Sequence, residues 1–129
     1  MKILYTKFLN EYDPISATWE YNHSNVLLEF SELINAIYSE RIERVAVEIL
    51  CKHISFYKLN GSLDFSVPCP GMDKYQYRGL NKNNHSRTGI SLLFHPTERS
   101  IGNEWQDMEQ YEMEFNSPNL VGKYLGIYR

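Results

Sequence analysis

Asn60-Gly61 sits between two runs that alternate apolar and polar residues, and this arrangement constrains the fold more than any other feature of the chain. A two-residue type I′ turn needs positive φ at both central positions, which Asn and Gly tolerate best, so the pair reads as the turn of a β-hairpin. Such a turn sets a register: Leu59 opposite Ser62, Lys58 opposite Leu63, Phe56 opposite Phe65, and Ile54 opposite Val67. Tyr57 with Asp64 and Ser55 with Ser66 then occupy the other face. One side is mostly apolar and the other mostly polar, as a sheet covered on one side requires.

Other segments follow the same logic. Lys2–Leu9 is apolar and β-prone, and Asp13-Pro14 is a turn signal. Ile15, Ala17, Trp19 and Tyr21 alternate with Ser16, Thr18 and Glu20, which completes a first hairpin. Val26, Leu27, Phe30, Leu33, Ile34, Ile37 and Tyr38 then recur at three-to-four spacing, which predicts a helix over 24–39 with Ser24 as its N-cap. Period two returns at Val45, Val47, Ile49 and Cys51. Ile54 and Phe56 have the opposite parity, which implies a bulge near Lys52-His53 or a new strand. Residues 68–88 show no sustained period and read as a long loop. Ile90, Leu92 and Phe94 mark a strand. Tyr111, Met113 and Phe115 mark another, with Glu112 and Glu114 on an acidic outer face. Leu120, Val121, Tyr124 and Leu125 after Ser117-Pro118 suggest a short helix. The pattern predicts a single α+β domain over 1–129: an antiparallel sheet of about five to seven strands with one main helix packed on one face.

A chain of 129 residues, 43% hydrophobic and 22% charged, has enough apolar surface for one ordinary core. Lys2 and Lys7 interrupt the N-terminus before any secretory apolar core develops, and no run approaches the ~18 apolar residues of a membrane span, so a cytoplasmic protein is expected. Two cysteines are too few for a disulfide scaffold.

Few constellations suggest chemistry. Cys51, His53 and Cys69 lack the spacings that mark a zinc site, and Cys51 with His53 lacks a group to orient the imidazole, so neither metal nor cofactor is expected. No glycine-rich phosphate loop occurs. Between 74 and 88, Lys74, Arg78, Lys82 and Arg87 are interleaved with Tyr75 and Tyr77, as on a surface that stacks bases and tracks phosphates. A ribonuclease-like alternative would add His85 and His95 as an acid–base pair. The net charge of −3 weighs against nucleic acid as a general partner.

Residues 104–114 carry five acids and no base, with Trp105, Met108 and Tyr111 among them. Aromatic anchors beside complementary charge are what a protein-binding hot spot uses. The candidate partner-binding residues are therefore Glu104, Trp105, Asp107, Met108, Glu109, Tyr111 and Glu112. Tyr75, Tyr77, Arg78 and Arg87 form a second candidate surface. A short, mildly acidic, tyrosine-rich chain with such a stretch resembles the small immunity proteins of bacterial toxin–immunity pairs, those of contact-dependent growth inhibition being the nearest type. The likeness is one of size and composition and carries over no functional residue. It implies a non-enzymatic inhibitor that neutralises a cognate toxin domain by occluding it.

Overall fold

A computed structural model describes residues 1–50, 52–98 and 107–128. The described residues form eleven strands in three antiparallel sheets and no helix. None of them supplies a helix long and apolar enough to cross a membrane. The expected α+β architecture is therefore replaced by an all-β one, arranged as two compact units, Met1–Pro68 and Cys69–Arg129.

In the first unit, β1 (Leu4–Tyr5), β2 (Ser16–Tyr21) and β3 (Ser24–Glu29) form a sheet in that order. A second sheet runs β4 (Ile34–Ser39), β5 (Arg44–Ile49), β6 (His53–Lys58) and β7 (Leu63–Pro68), each strand beside the next. The helix expected over 24–39 is thus two strands in different sheets. Asn22 and His23 both take positive φ, 50° and 63°, and close a two-residue hairpin in which Ser24 opposes Tyr21. Ser24 begins a strand and caps nothing. The three-to-four spacing arises because Val26 and Leu28 face inward on β3, whereas Ile34, Ala36 and Tyr38 face inward on β4. Each strand alternates with period two, and the bend at 30–33 between them mimics a helical phase.

The hairpin at Asn60-Gly61 is present, and Ile54↔Val67, Ser55↔Ser66 and Phe56↔Phe65 pair as expected. Nearer the turn the register differs: Tyr57 opposes Leu63, leaving Asp64 as an extra residue. The Gly61 N–H donates to Lys58 O at 2.9 Å and the Lys58 N–H to Ser62 O at 2.9 Å. Only Gly61 of the turn pair has positive φ, 93°, so this is a three-residue loop with a glycine bulge in place of a type I′ turn. Asn60 instead accepts the Ser62 N–H on its side-chain oxygen at 2.9 Å.

Ala17 and Trp19 of β2 meet Ile34, Val45, Val47 and Ile49 of the second sheet in one buried cluster, with Tyr57 packed against it. The Trp19 indole N–H donates to Leu59 O at 2.8 Å. This cluster lies on the face of β6 expected to be polar. Phe56 and Ile54, expected on the core side, are fully buried as well, with Phe56 stacked on Phe65 at 4.8 Å. Strand β5 is buried on both faces, which erases the one-sided polarity that the hairpin pattern implied.

The second unit is a four-stranded meander, β8 (Tyr75–Lys82), β9 (Ile90–Pro96), β10 (Met108–Met113) and β11 (Val121–Tyr128), in the order β11-β10-β9-β8. Two sequence expectations fall here. Much of the stretch read as a loop is β8, whose period is hidden by a bulge: Tyr77 pairs with Phe94 and Gly79 with Leu93, so Arg78 is extra and the inward face passes from Tyr77 to Leu80. The short helix at 120–125 is instead the start of β11, whose alternation is masked by two register shifts against β10. Gly122 is needed there, because a Cβ would lie 2.7 Å from Glu114 Oε1 and 2.8 Å from the Glu112 carbonyl.

Candidate partner-binding cleft

The two stretches singled out in the sequence are neighbours in space, since β9 pairs with β8 on one side and β10 on the other. Pairing sorts their residues onto two faces. Tyr77, Phe94, Glu109 and Ile127 share one face with Leu80, Leu92, Tyr111 and Tyr124. Phe94 is fully buried, and its ring meets Tyr75 at 6.3 Å, Tyr77 at 5.5 Å and Tyr111 at 5.7 Å, all edge-to-face. Edge-to-face packing sets the positive rim of one ring against the negative face of another.

Glu109 is buried within this aromatic group and accepts the Tyr111 hydroxyl at 2.8 Å. Burial and that hydrogen bond both raise the Tyr111 pKa, since each disfavours the phenolate beside a carboxylate. Tyr75 is raised too, chiefly by burial. Glu109 thus serves the interior of the unit, and a partner does not meet it on a solvated surface.

The opposite face carries the acid nearest the 83–89 loop. Glu112 is fully buried, and it accepts the Arg87 N–H at 2.6 Å and the Arg87 Nε–H at 2.8 Å. Arg87 also reaches Glu114 at 3.1 Å. Burial alone would raise the Glu112 pKa. The Arg87 amide, its guanidinium bond and the charges of Arg87 and Lys123 outweigh burial and hold the carboxyl below its ordinary value. The expected acidic outer face is therefore absent at Glu112, whose buried carboxylate is paired with Arg87 of the basic stretch. Thr88 adds a second tie, donating to Met113 O at 2.7 Å. Next along this face Gln110 Oε1 accepts from Ser91 Oγ and Asn83 Nδ2, each at 3.0 Å.

A depressed carboxyl stabilises the fold above its unfolded-state pKa, and that contribution is lost as pH falls through the lower folded-state value. Glu112→Gln is accordingly expected to lower the thermal midpoint at neutral pH and to flatten the loss of stability below about pH 4. Thermal melts of both proteins from pH 7 to pH 2 check this; parallel curves would show that the pair contributes nothing.

The 83–89 loop closes one end of this face, and the other end is open. Gln76 pairs with His95 and Met108 with Tyr128, and the register Glu109↔Phe94 sets Met108 beside His95. Gln76, His95, Met108 and Tyr128 thus form one row across all four strands, on the order of 14 Å wide. Arg78, pushed out by the bulge, and Asp107 flank it. The six line an open cleft of about 460 Å³.

The cleft joins Asp107 and Met108 from the first candidate surface with Arg78 from the second. Tyr75, Tyr77, Glu109 and Tyr111 belong to the aromatic face, and Arg87 and Glu112 to the loop anchor. Glu104 and Trp105 lie outside the described residues, as does Cys51. The structure does not bring His85 and His95 together: His85 is in the 83–89 loop, whereas His95 lies five residues along β9 from that end, on the order of 17 Å away. Sequence reading missed Gln76 and Tyr128 as site residues. No local spacing could have marked the latter, because the register shift between Gln110 and Tyr111 turns Tyr128 to the face opposite Tyr124. Neither a family model, a curated protein nor a solved structure matches the chain.

Proposed function

We propose that this protein is an inhibitor of the toxin-neutralising kind, which binds a cognate protein domain through the cleft on β8–β11 and occludes it. The observation that carries this reading is the composition of the cleft. Arg78, Met108 and Tyr128 belong to the residue types enriched at protein interfaces, and they converge from three strands on one open surface. The resemblance in size and composition to small immunity proteins points the same way. With Glu109 and Glu112 engaged internally, Asp107 and Arg78 put both signs of charge at the cleft. Recognition then rests on shape and anchors more than on acidity.

The test is protection: the chain is expressed with the toxin domain encoded next to it, and survival and co-purification are measured. Tyr128→Ala is expected to weaken the complex about 30-fold, the loss of one anchor worth ~2 kcal/mol, mostly through faster dissociation. Arg78→Glu is expected to act mainly on association and to change its salt dependence. Full protection by the variant carrying both Tyr128→Ala and Arg78→Glu would remove the cleft from the interface. Cleavage of RNA by the purified chain alone would overturn the inhibitor reading.

A further inference from the structure

Among the described residues six strands lie at sheet edges: β1, β3, β4, β7, β8 and β11. A bare edge presents N–H and C=O groups at the spacing of another strand, and folded proteins usually blunt it. Five of the six are blunted here. Strand β1 is two residues long. On β4 the Ala36 N–H donates to the Tyr5 hydroxyl at 2.9 Å. Strand β7 carries the extra residue Asp64 and ends at Pro68. Strand β8 is bulged at Arg78, and β11 is out of register with β10 at two places. Strand β3 has none of these devices. Its pairing with β2 is unbroken from Ser16↔Glu29 to Tyr21↔Ser24, and it contains neither proline nor glycine.

The direction of its backbone groups follows from the turn. A two-residue hairpin makes Tyr21–Ser24 a hydrogen-bonded pair, so Ser24, Val26 and Leu28 direct N–H and C=O toward β2. The Phe30 N–H, donating to Ile15 O at 2.9 Å, continues that series. Asn25 and Leu27 therefore direct theirs outward, and no hydrogen bond among the described residues reaches them. Beside this edge lies an open cleft of about 480 Å³, lined by Tyr21, Asn25–Leu28 and the hairpin tip Asn60-Gly61. Among the described residues no charged side chain lines it. Leu27 is half exposed.

We propose that the β3 edge is a strand-addition site for an uncharged, extended segment of a partner protein, which lies along Asn25 and Leu27 beside the tip of the β6–β7 hairpin, where Gly61 packs against Val26. Outward donors and acceptors repeating every second residue are matched by another extended backbone. The uncharged lining offers nothing to a phosphate chain. The hairpin tip beside the edge suits a single inserted strand better than the broad sheet of a second copy. This surface belongs to the first unit and does not depend on the β8–β11 cleft.

The probe is the peptide acetyl-Thr-Val-Thr-Val-Thr-amide, titrated into the isotope-labelled full chain. Amide shift changes are expected at Asn25, Leu27, Asn60 and Gly61, with slowed hydrogen exchange at Asn25 and Leu27. Leu27→Pro removes an outward N–H that β2 does not use, and it is expected to weaken peptide binding by about tenfold or more. Leu27→Thr, which keeps that N–H, is expected to stay within about twofold of the parent. If Leu27→Pro does not fold, the exchange rates of Asn25 and Leu27 in the parent chain decide. Absence of binding at millimolar peptide, shifts mapping elsewhere, or equal binding by folded Leu27→Pro would overturn the proposal. Protection of β3 without peptide in a concentration-dependent dimer would assign the edge to a second copy and overturn it equally.

Discussion

Trp19→Ala is expected to cost about 3–5 kcal/mol and to lower the thermal midpoint by about 10 °C or more. The indole is almost fully buried, in the cluster that joins both sheets of the first unit, and its N–H satisfies Leu59 O. Removing it leaves a cavity between the sheets and an acceptor without its donor, two losses that add. Leu27→Ala is the internal control. On the apolar stripe of a helix over 24–39, Leu27 would be core, and truncation would cost about 2 kcal/mol or more. On β3 its side chain points outward, half exposed, and the expected cost is within about 0.5 kcal/mol. Denaturant unfolding of the two variants separates the folds: similar large losses would restore the helix, and a large loss at Trp19 alone supports the hairpin.

Phe94→Ala is the second large effect, again about 3–5 kcal/mol. Phe94 is fully buried on β9 and touches Tyr75, Tyr77 and Tyr111, so its loss opens the centre of the aromatic face. It pairs with Tyr77 on one side and Glu109 on the other, the residues next to Gln76 and Met108. Partner binding is therefore expected to weaken with Phe94→Ala although the ring lies on the face away from the cleft. Phe94→Leu, which keeps most of the volume, is expected to recover most of both losses. Calorimetric melting and partner affinity measured on the same samples check this; a destabilised variant with unchanged affinity would place the interface off the β8–β11 sheet.

Several elements were legible in the residues alone, and the reason is local. Strands β2, β5, β6, β7 and β9 alternate cleanly, and period two reports a strand whatever the chain packs against. Three pairs of the Asn60-Gly61 hairpin were legible too, because the alternation of both arms favours that register, and the extra residue Asp64 offsets the longer turn to restore it. Elsewhere the decisive interactions lay far apart in sequence. Strands β3 and β4 mimic one amphipathic helix, and partners in two different sheets decide against it. In β8 and β11 a bulge or register shift is defined only against the neighbouring strand, so no window of the sequence could reveal the phase. The charge pattern misled for the same reason. Counted along the chain, residues 104–114 have no compensating base, yet Arg87, 25 residues before Glu112, is its partner across the meander. Composition and period determined an apolar interior and most of the strands, while the helices they also implied over 24–39 and 120–125 are strands instead. Pairing across the sheets decided which acids are buried, which edge stays bare and which residues line the cleft, because solvation and hydrogen bonding of a side chain depend on neighbours that only the tertiary fold supplies.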